Sequence, residues 1–124
     1  MNVLVFDIET VPDVEGGRRL FGLEGLDNAA AADAMFALRR QETGNDFLRH
    51  HLQRIVAISA VFRSRDQIAV WSLGDEHADE KTILEKFFQI IERYSPTLVS
   101  WNGSGFDLPV LHYRALLHGV ASPR

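Results

Sequence analysis

The sequence predicts an α/β domain in which a mixed β-sheet carries helices on its faces. Three observations lead there. An apolar, β-branched run opens the chain from Asn2 to Ile8. Two more strand-like runs, Arg54 to Phe62 and Gln67 to Leu73, flank a short polar break. A helix, a strand and a second helix then follow in that order. A hairpin succeeded by crossover helices implies strands of both directions in one sheet.

Each element has its own signal. Asn2 to Ile8 (NVLVFDI) reads as a buried strand because branched and aromatic side chains favour the pleated, packed state. Val11 to Asn28 holds Pro12, Gly16, Gly17, Gly22 and Gly25, which predicts a loop. Ala29 to Thr43 is alanine-rich, with Asn28 placed as its N-cap and Gly44 as its stop, and predicts a helix. The break between the second and third runs is Arg63 to Asp66, short enough for an antiparallel hairpin. From Asp79 to Tyr94 the residues Ile83, Leu84, Phe87, Phe88, Ile91 and Tyr94 recur at helical spacing, and Ser95–Pro96 stops the helix. Thr97 to Trp101 predicts a fourth strand, Asn102 to Gly105 a turn and Phe106 to His118 a last helix.

Composition narrows the function classes. At 124 residues and 46% hydrophobic content the chain suits one packed domain. It has no cysteine, which excludes disulfides, thiolate zinc sites and a cysteine nucleophile, and fits a reducing compartment; a cytoplasmic location is expected. Asp7 and Glu9 directly follow the N-terminal apolar run, which argues against a signal peptide, and no apolar run reaches the roughly 20 residues of a membrane helix. A net charge of −4 speaks against a broad duplex-binding surface, though catalytic carboxylates themselves contribute negative charge. The pairs Arg18/Arg19, Arg39/Arg40 and Arg63/Arg65 read as solvated surface charge, and His50, His51, His77, His112 and His118 as ordinary histidines.

Two constellations carry chemistry. Asp7 and Glu9 stand at positions i and i+2 of the first strand, so their carboxylates project from one face near its C-terminal end. Close carboxylates repel, and a divalent cation resolves the conflict; the competing reading is a polar strand end that caps the next turn. The second constellation is Trp101-Asn102-Gly103-Ser104-Gly105-Phe106-Asp107, between the fourth strand and the last helix. Asp107 sits where a helix dipole favours a carboxylate, which could be its whole purpose, and Asn102 could be a plain turn residue. With the first and fourth strands as neighbours, however, Asp107 reaches the Asp7/Glu9 edge.

These residues resemble a known superfamily. Asp7-Ile8-Glu9-Thr10 after a strand looks like the first motif of the DEDD 3'–5' exonucleases, and Asn102 to Asp107 looks like the second, of the form N-x-x-x-F-D. The continuation Leu108-Pro109-Val110-Leu111 and the segment His51 to Phe62 resemble predicted stand-alone exonucleases related to the proofreading domain of family B DNA polymerases. The resemblance implies a ribonuclease-H-like sheet. It implies that Asp7, Glu9 and Asp107 are three of four metal-binding carboxylates, and that Thr10 and Asn102 lie near the terminal nucleotide. Phe106 would be a packing anchor or a neighbour of the substrate. It further implies Mg²⁺, with Mn²⁺ as substitute, two ions about 3.5–4 Å apart in the complete domain. The substrate would be single-stranded 3' ends, DNA in preference to RNA, and the product a nucleoside 5'-monophosphate.

The sequence departs from the superfamily in one respect. No acidic residue follows Asp107, and neither Tyr94 nor Tyr113 has an aspartate four residues on, so the third motif is missing. The expectation is therefore that residues 1–124 form the N-terminal portion of a single exonuclease domain, without its C-terminal strand and helices. Such a fragment is expected to be nearly inactive alone and to self-associate through surface left uncovered. Two alternatives stand: a haloacid-dehalogenase-type phosphatase, whose D-x-D-x-T motif Asp7-Ile8-Glu9-Thr10 approaches with Asp7 as nucleophile, and a non-catalytic nucleic-acid-binding module of the same fold.

Overall fold

The structure, a computed structural model, describes residues 1–75, 77, 79–100 and 103–123. Its strands are β1 (Asn2–Pro12), β2 (Gln53–Ser64), β3 (Gln67–Leu73) and β4 (Thr97–Ser100). Its helices are α1 (Val14–Phe21), α2 (Asn28–Thr43), α3 (Glu80–Tyr94) and α4 (Leu108–His118), with a 3₁₀ turn at His50–Leu52 and a π-helical turn at Gly103–Asp107. The chain divides into two compact units, Met1–Thr10 with Ile55–Arg124, and Val11–Arg54.

The first unit holds a four-stranded sheet in the order β3-β2-β1-β4. β2 and β3 form the expected antiparallel hairpin, with Val61 opposite Val70 and Ser59 opposite Ser72. β1 and β4 are parallel, pairing Val5 with Val99 and Phe6 with Ser100. The amide of Asp13, just past β1, donates to the carbonyl of Leu52, just before β2, at 2.9 Å. A strand that ends where its neighbour begins runs antiparallel to it, so the sheet is mixed.

Alternation along β1 sorts its side chains by face. Leu4, Phe6 and Ile8 are buried, while Val5, Asp7 and Glu9 are exposed. The buried face packs with Ile55, Ile58 and Ala60 of β2 against Ile83, Leu84, Phe87 and Phe88 of α3 and Val110, Leu111 and Ala115 of α4. Both helices of this unit thus flank the mixed sheet on this one face, and the mixed α/β architecture is the one the sequence predicts. On the other face Val5, Val61, Val70 and Val99 are exposed.

α3 and α4 are joined by charge as well as apolar contact. Glu80, in the first turn of α3, and Arg114 of α4 are both buried. The Glu80 Oε1 accepts from Arg114 Nη2 at 2.6 Å and Nε at 3.1 Å, and lies 2.7 Å from His118 Nε2. Its Oε2 accepts from Arg114 Nε at 3.0 Å and from the backbone amide of Ile55 at 2.6 Å.

The second unit corrects the expected loop at 11–28, because α1 occupies much of it. Asp13 caps the helix by accepting from the Gly16 amide, and Glu15 in the first turn and Arg18 and Arg19 in the last complement the dipole. Gly17 is a packing residue and not a breaker: a Cβ there would lie 2.8 Å from Met35 Cε and 2.9 Å from its Cγ. The N-cap of α2 is Asp27, which accepts from the Ala30 amide, one residue before the expected Asn28. Met35, Leu48 and Leu52 form this unit's own small core. Among the described residues no helix is long and apolar enough to cross a membrane.

Candidate active site

β1 and the start of α4, both in the sheet unit, carry the candidate carboxylates. β1 carries Asp7 on its exposed face, and Glu9 follows on the same face about 7 Å further along. Asp107 enters from the other side of the sheet. The π-helical turn Gly103–Asp107 ends on it and α4 begins immediately afterwards, so the last helix starts two residues later than the sequence predicts. Asp107 is only 3% exposed.

Register explains how a buried carboxylate sits at this edge. Ser100 pairs with Phe6, so it shares the side of the sheet on which α4 packs. Its hydroxyl donates to Asp107 Oδ2. Burial holds the Asp107 carboxyl above its ordinary value of 3.8, the Ser100 hydrogen bond pulls it back, and the negative charge of Asp7 pushes it up further. The charge of Asp7 thus acts on the Asp107 carboxyl.

The other expected residues are placed as follows. Thr10 is half-buried near the end of β1. Phe106 is half-buried and packs against the main core. Asn102 lies outside the described residues. Sequence reasoning did not single out Ser100; only the β1–β4 register brings it to Asp107.

A metal ion can be tested against these residues. Carboxylate oxygens are hard donors suited to Mg²⁺ or Mn²⁺, and a desolvated aspartate next to a second negative charge is relieved by a cation. Asp7 and Asp107 fit that description. Among the described residues, no three His, Asp or Glu side chains gather into a ready coordination group. Beside Asp7 the exposed sheet face forms an open trough of about 1000 Å³, lined by Val5, Val61, Val70 and Val99 among others.

Comparison with known proteins gives the following. Residues 45–124 match the model of a family described as "Predicted 3'-5' exonuclease related to the exonuclease domain of PolB". That span includes Asp107 and the turn before it, and leaves Asp7 and Glu9 outside. Among curated proteins, the chain is similar to the catalytic subunit of DNA polymerase epsilon from Dictyostelium discoideum, 48% identical over 44 residues or 35% of this chain. It is also similar to the corresponding polymerase epsilon protein of Saccharomyces cerevisiae, 42% identical over 43 residues or 34% of this chain. The matched stretch spans only 2% of the length of either relative. No solved structure matches the chain.

Proposed function

Because the chain belongs to the family of predicted 3'–5' exonucleases related to the exonuclease domain of PolB, we propose that it serves metal-dependent removal of nucleotides from single-stranded 3' ends. DNA is the favoured substrate, since both curated relatives are catalytic subunits of a DNA polymerase. The observation that supports the reading is the burial of Asp107 at the start of α4, where the negative charge of exposed Asp7 on β1 acts on its carboxyl.

Asp7, Glu9 and Asp107 would hold Mg²⁺, or Mn²⁺ in its place; the bound ion supplies Lewis acidity toward the scissile phosphate. The chain's own residues do the rest. Asp107 is desolvated, so its charge is poorly screened and acts strongly on whatever cation it meets. Ser100 occupies one Asp107 oxygen and thereby fixes the carboxylate's orientation. Asp7 is open to solvent, where a nucleic-acid end enters. The trough beside Asp7 is walled by valines, which accept any base face without reading its edge. Thr10, Asn102 and Phe106 are the proposed neighbours of the terminal nucleotide. In the reaction the water oxygen adds to the terminal phosphorus, the P–O3' bond breaks and the 3' oxygen takes up a proton, releasing a nucleoside 5'-monophosphate.

Ion binding is the direct test on this chain. Mn²⁺ titrated into the purified protein and followed by electron paramagnetic resonance should occupy one site that Asp7→Ala or Asp107→Ala each removes. A 5'-labelled single-stranded oligodeoxynucleotide should shorten slowly from its 3' end in Mg²⁺ and not in EDTA. Unchanged Mn²⁺ binding in Asp107→Ala, or cleavage in EDTA, would refute the proposal. Inorganic phosphate released from a small phosphomonoester would favour the phosphatase, and strand binding indifferent to both aspartates would favour the non-catalytic module.

A further inference from the structure

We propose that Glu80 and Arg114 are positioning residues for this site: their buried ion pair fixes the rotation of α4 about its axis and so aims Asp107 toward Asp7. The inference rests on the reading of Asp7 and Asp107 given above, and it assigns a role to a strongly buried charged pair that the reaction itself does not use.

The pair is built with more precision than burial alone requires. Glu80 is 4% and Arg114 3% exposed. Each carboxylate oxygen of Glu80 is engaged more than once, by the Arg114 guanidinium and by His118 or the Ile55 amide. No buried side-chain nitrogen or oxygen among the described residues lacks a partner. β2, α3 and α4 thus meet at one carboxylate. The same two helices contribute Ile83, Leu84, Val110, Leu111 and Ala115 to the apolar core. A buried ion pair brings little net stability over apolar residues of the same volume. What it does bring is direction, because the planar guanidinium fork accepts a carboxylate in few orientations.

Helix geometry links this direction to the site. Asp107 and Arg114 are seven positions apart (114 − 107), roughly two turns at 3.6 residues per turn, so they project from nearly the same side of α4. Both are buried. Asp107 stands at the helix start with its backbone already helical, at φ −61° and ψ −48°. A rotation of α4 by about 10° moves a group about 6 Å from the axis by about 1 Å, a displacement that matters for reacting groups. With apolar side chains at 80 and 114 such a rotation meets only soft contacts; with the fork in place it breaks hydrogen bonds.

The test separates positioning from stability. Wild type, Arg114→Lys and the double variant Glu80→Met/Arg114→Met are compared by thermal denaturation and by Mn²⁺ titration. The double variant is expected to unfold cooperatively at or above the wild-type temperature, yet to bind Mn²⁺ at least about tenfold more weakly, as loss of outer-shell support commonly does. Arg114→Lys, which keeps the charge and loses the fork, should also bind the ion about tenfold more weakly; should the double variant not fold, it carries the comparison. A folded variant with wild-type Mn²⁺ affinity overturns the inference. If wild type itself binds no Mn²⁺, the metal reading fails separately. The positioning inference is then decided by amide residual dipolar couplings: a changed orientation of α4 in the variants supports it, and an unchanged one overturns it.

Discussion

Gly74 links β3 to α3, and replacing it with alanine should destabilise the sheet unit for two separable reasons. Its φ is +89°, a conformation that costs an L residue about 1–2 kcal/mol. A Cβ there would also stand 2.5 Å from the carbonyl oxygen of Val56 and 2.7 Å from Ile83 Cδ1. The first of these is backbone and cannot step aside, so overpacking adds roughly 1–3 kcal/mol. Stiffening of the unfolded chain returns about 0.4–1 kcal/mol. The net loss is about 2–4 kcal/mol. Gly119, the C-cap of α4, is the control: its φ is +67° but nothing lies within 4 Å of an added Cβ. Gly119→Ala should therefore cost only about 1 kcal/mol, the conformational part alone. Urea unfolding followed by circular dichroism reads the difference. With a slope near 2 kcal/mol per molar, the midpoint should fall by about 1–2 M for Gly74→Ala and about 0.5 M for Gly119→Ala, with unchanged slopes. Adding Ile83→Val to Gly74→Ala removes Cδ1 and should recover part of the loss as a non-additive coupling. Equal shifts for the two glycines, or strict additivity with Ile83→Val, would refute the reasoning.

Three further outcomes are expected. Because burial raises the Asp107 carboxyl above 3.8, the folded state binds its proton more tightly than the unfolded chain; stability should fall as pH rises from about 3.8 through the raised value and stay lower above it. Asp107→Asn should abolish that fall, making the variant the more stable protein at neutral pH and its equal in acid, as checked by denaturation across the pH range. Ser100→Ala removes the hydrogen bond that pulls Asp107 down, so a carboxyl-carbon NMR titration should find Asp107 higher than in wild type. Phe87 is fully buried, with its ring centroid 5.1 Å from that of Phe6, and Phe87→Ala should cost about 3–5 kcal/mol by calorimetry.

The legible parts of this sequence were those whose signal is local. The alternation of Leu4, Phe6 and Ile8, the hairpin break at Arg63 to Asp66 and the apolar stripe from Ile83 to Ile91 each follow from a single period. Their faces and pairings are seen in the structure. Asp7 and Asp107 were singled out by motif and strand order together; the structure puts Asp7 on the exposed face of β1 and Asp107, buried, at the start of α4. α1 was not legible, because Gly16 and Gly17 look like breakers until Met35 is seen lying against Gly17. The role of Glu80 was hidden in a different way. An acidic residue in a first helical turn has a sufficient local explanation, and its partner Arg114 stands 34 positions away in sequence. Ser100 had no signal of its own, since its relation to Asp107 depends on how β4 is registered beside β1.

The hydrogen bond from the Asp13 amide to the Leu52 carbonyl has a consequence for how this sequence can vary. It closes the neck of an excursion: the chain departs at the end of β1 and returns at the start of β2, and the two crossing points are neighbours. The segment from Val14 to His51 has a core of its own at Met35 and Leu48. Closing a longer or shorter loop between fixed points changes the entropy only logarithmically with length. The segment is thus free to lengthen, shrink or be exchanged while Asp7 keeps its place in the strand. A tight turn joining Pro12 to Gln53 would turn the same strands into an ordinary hairpin, which makes this neck the natural point for grafting a foreign module onto the sheet.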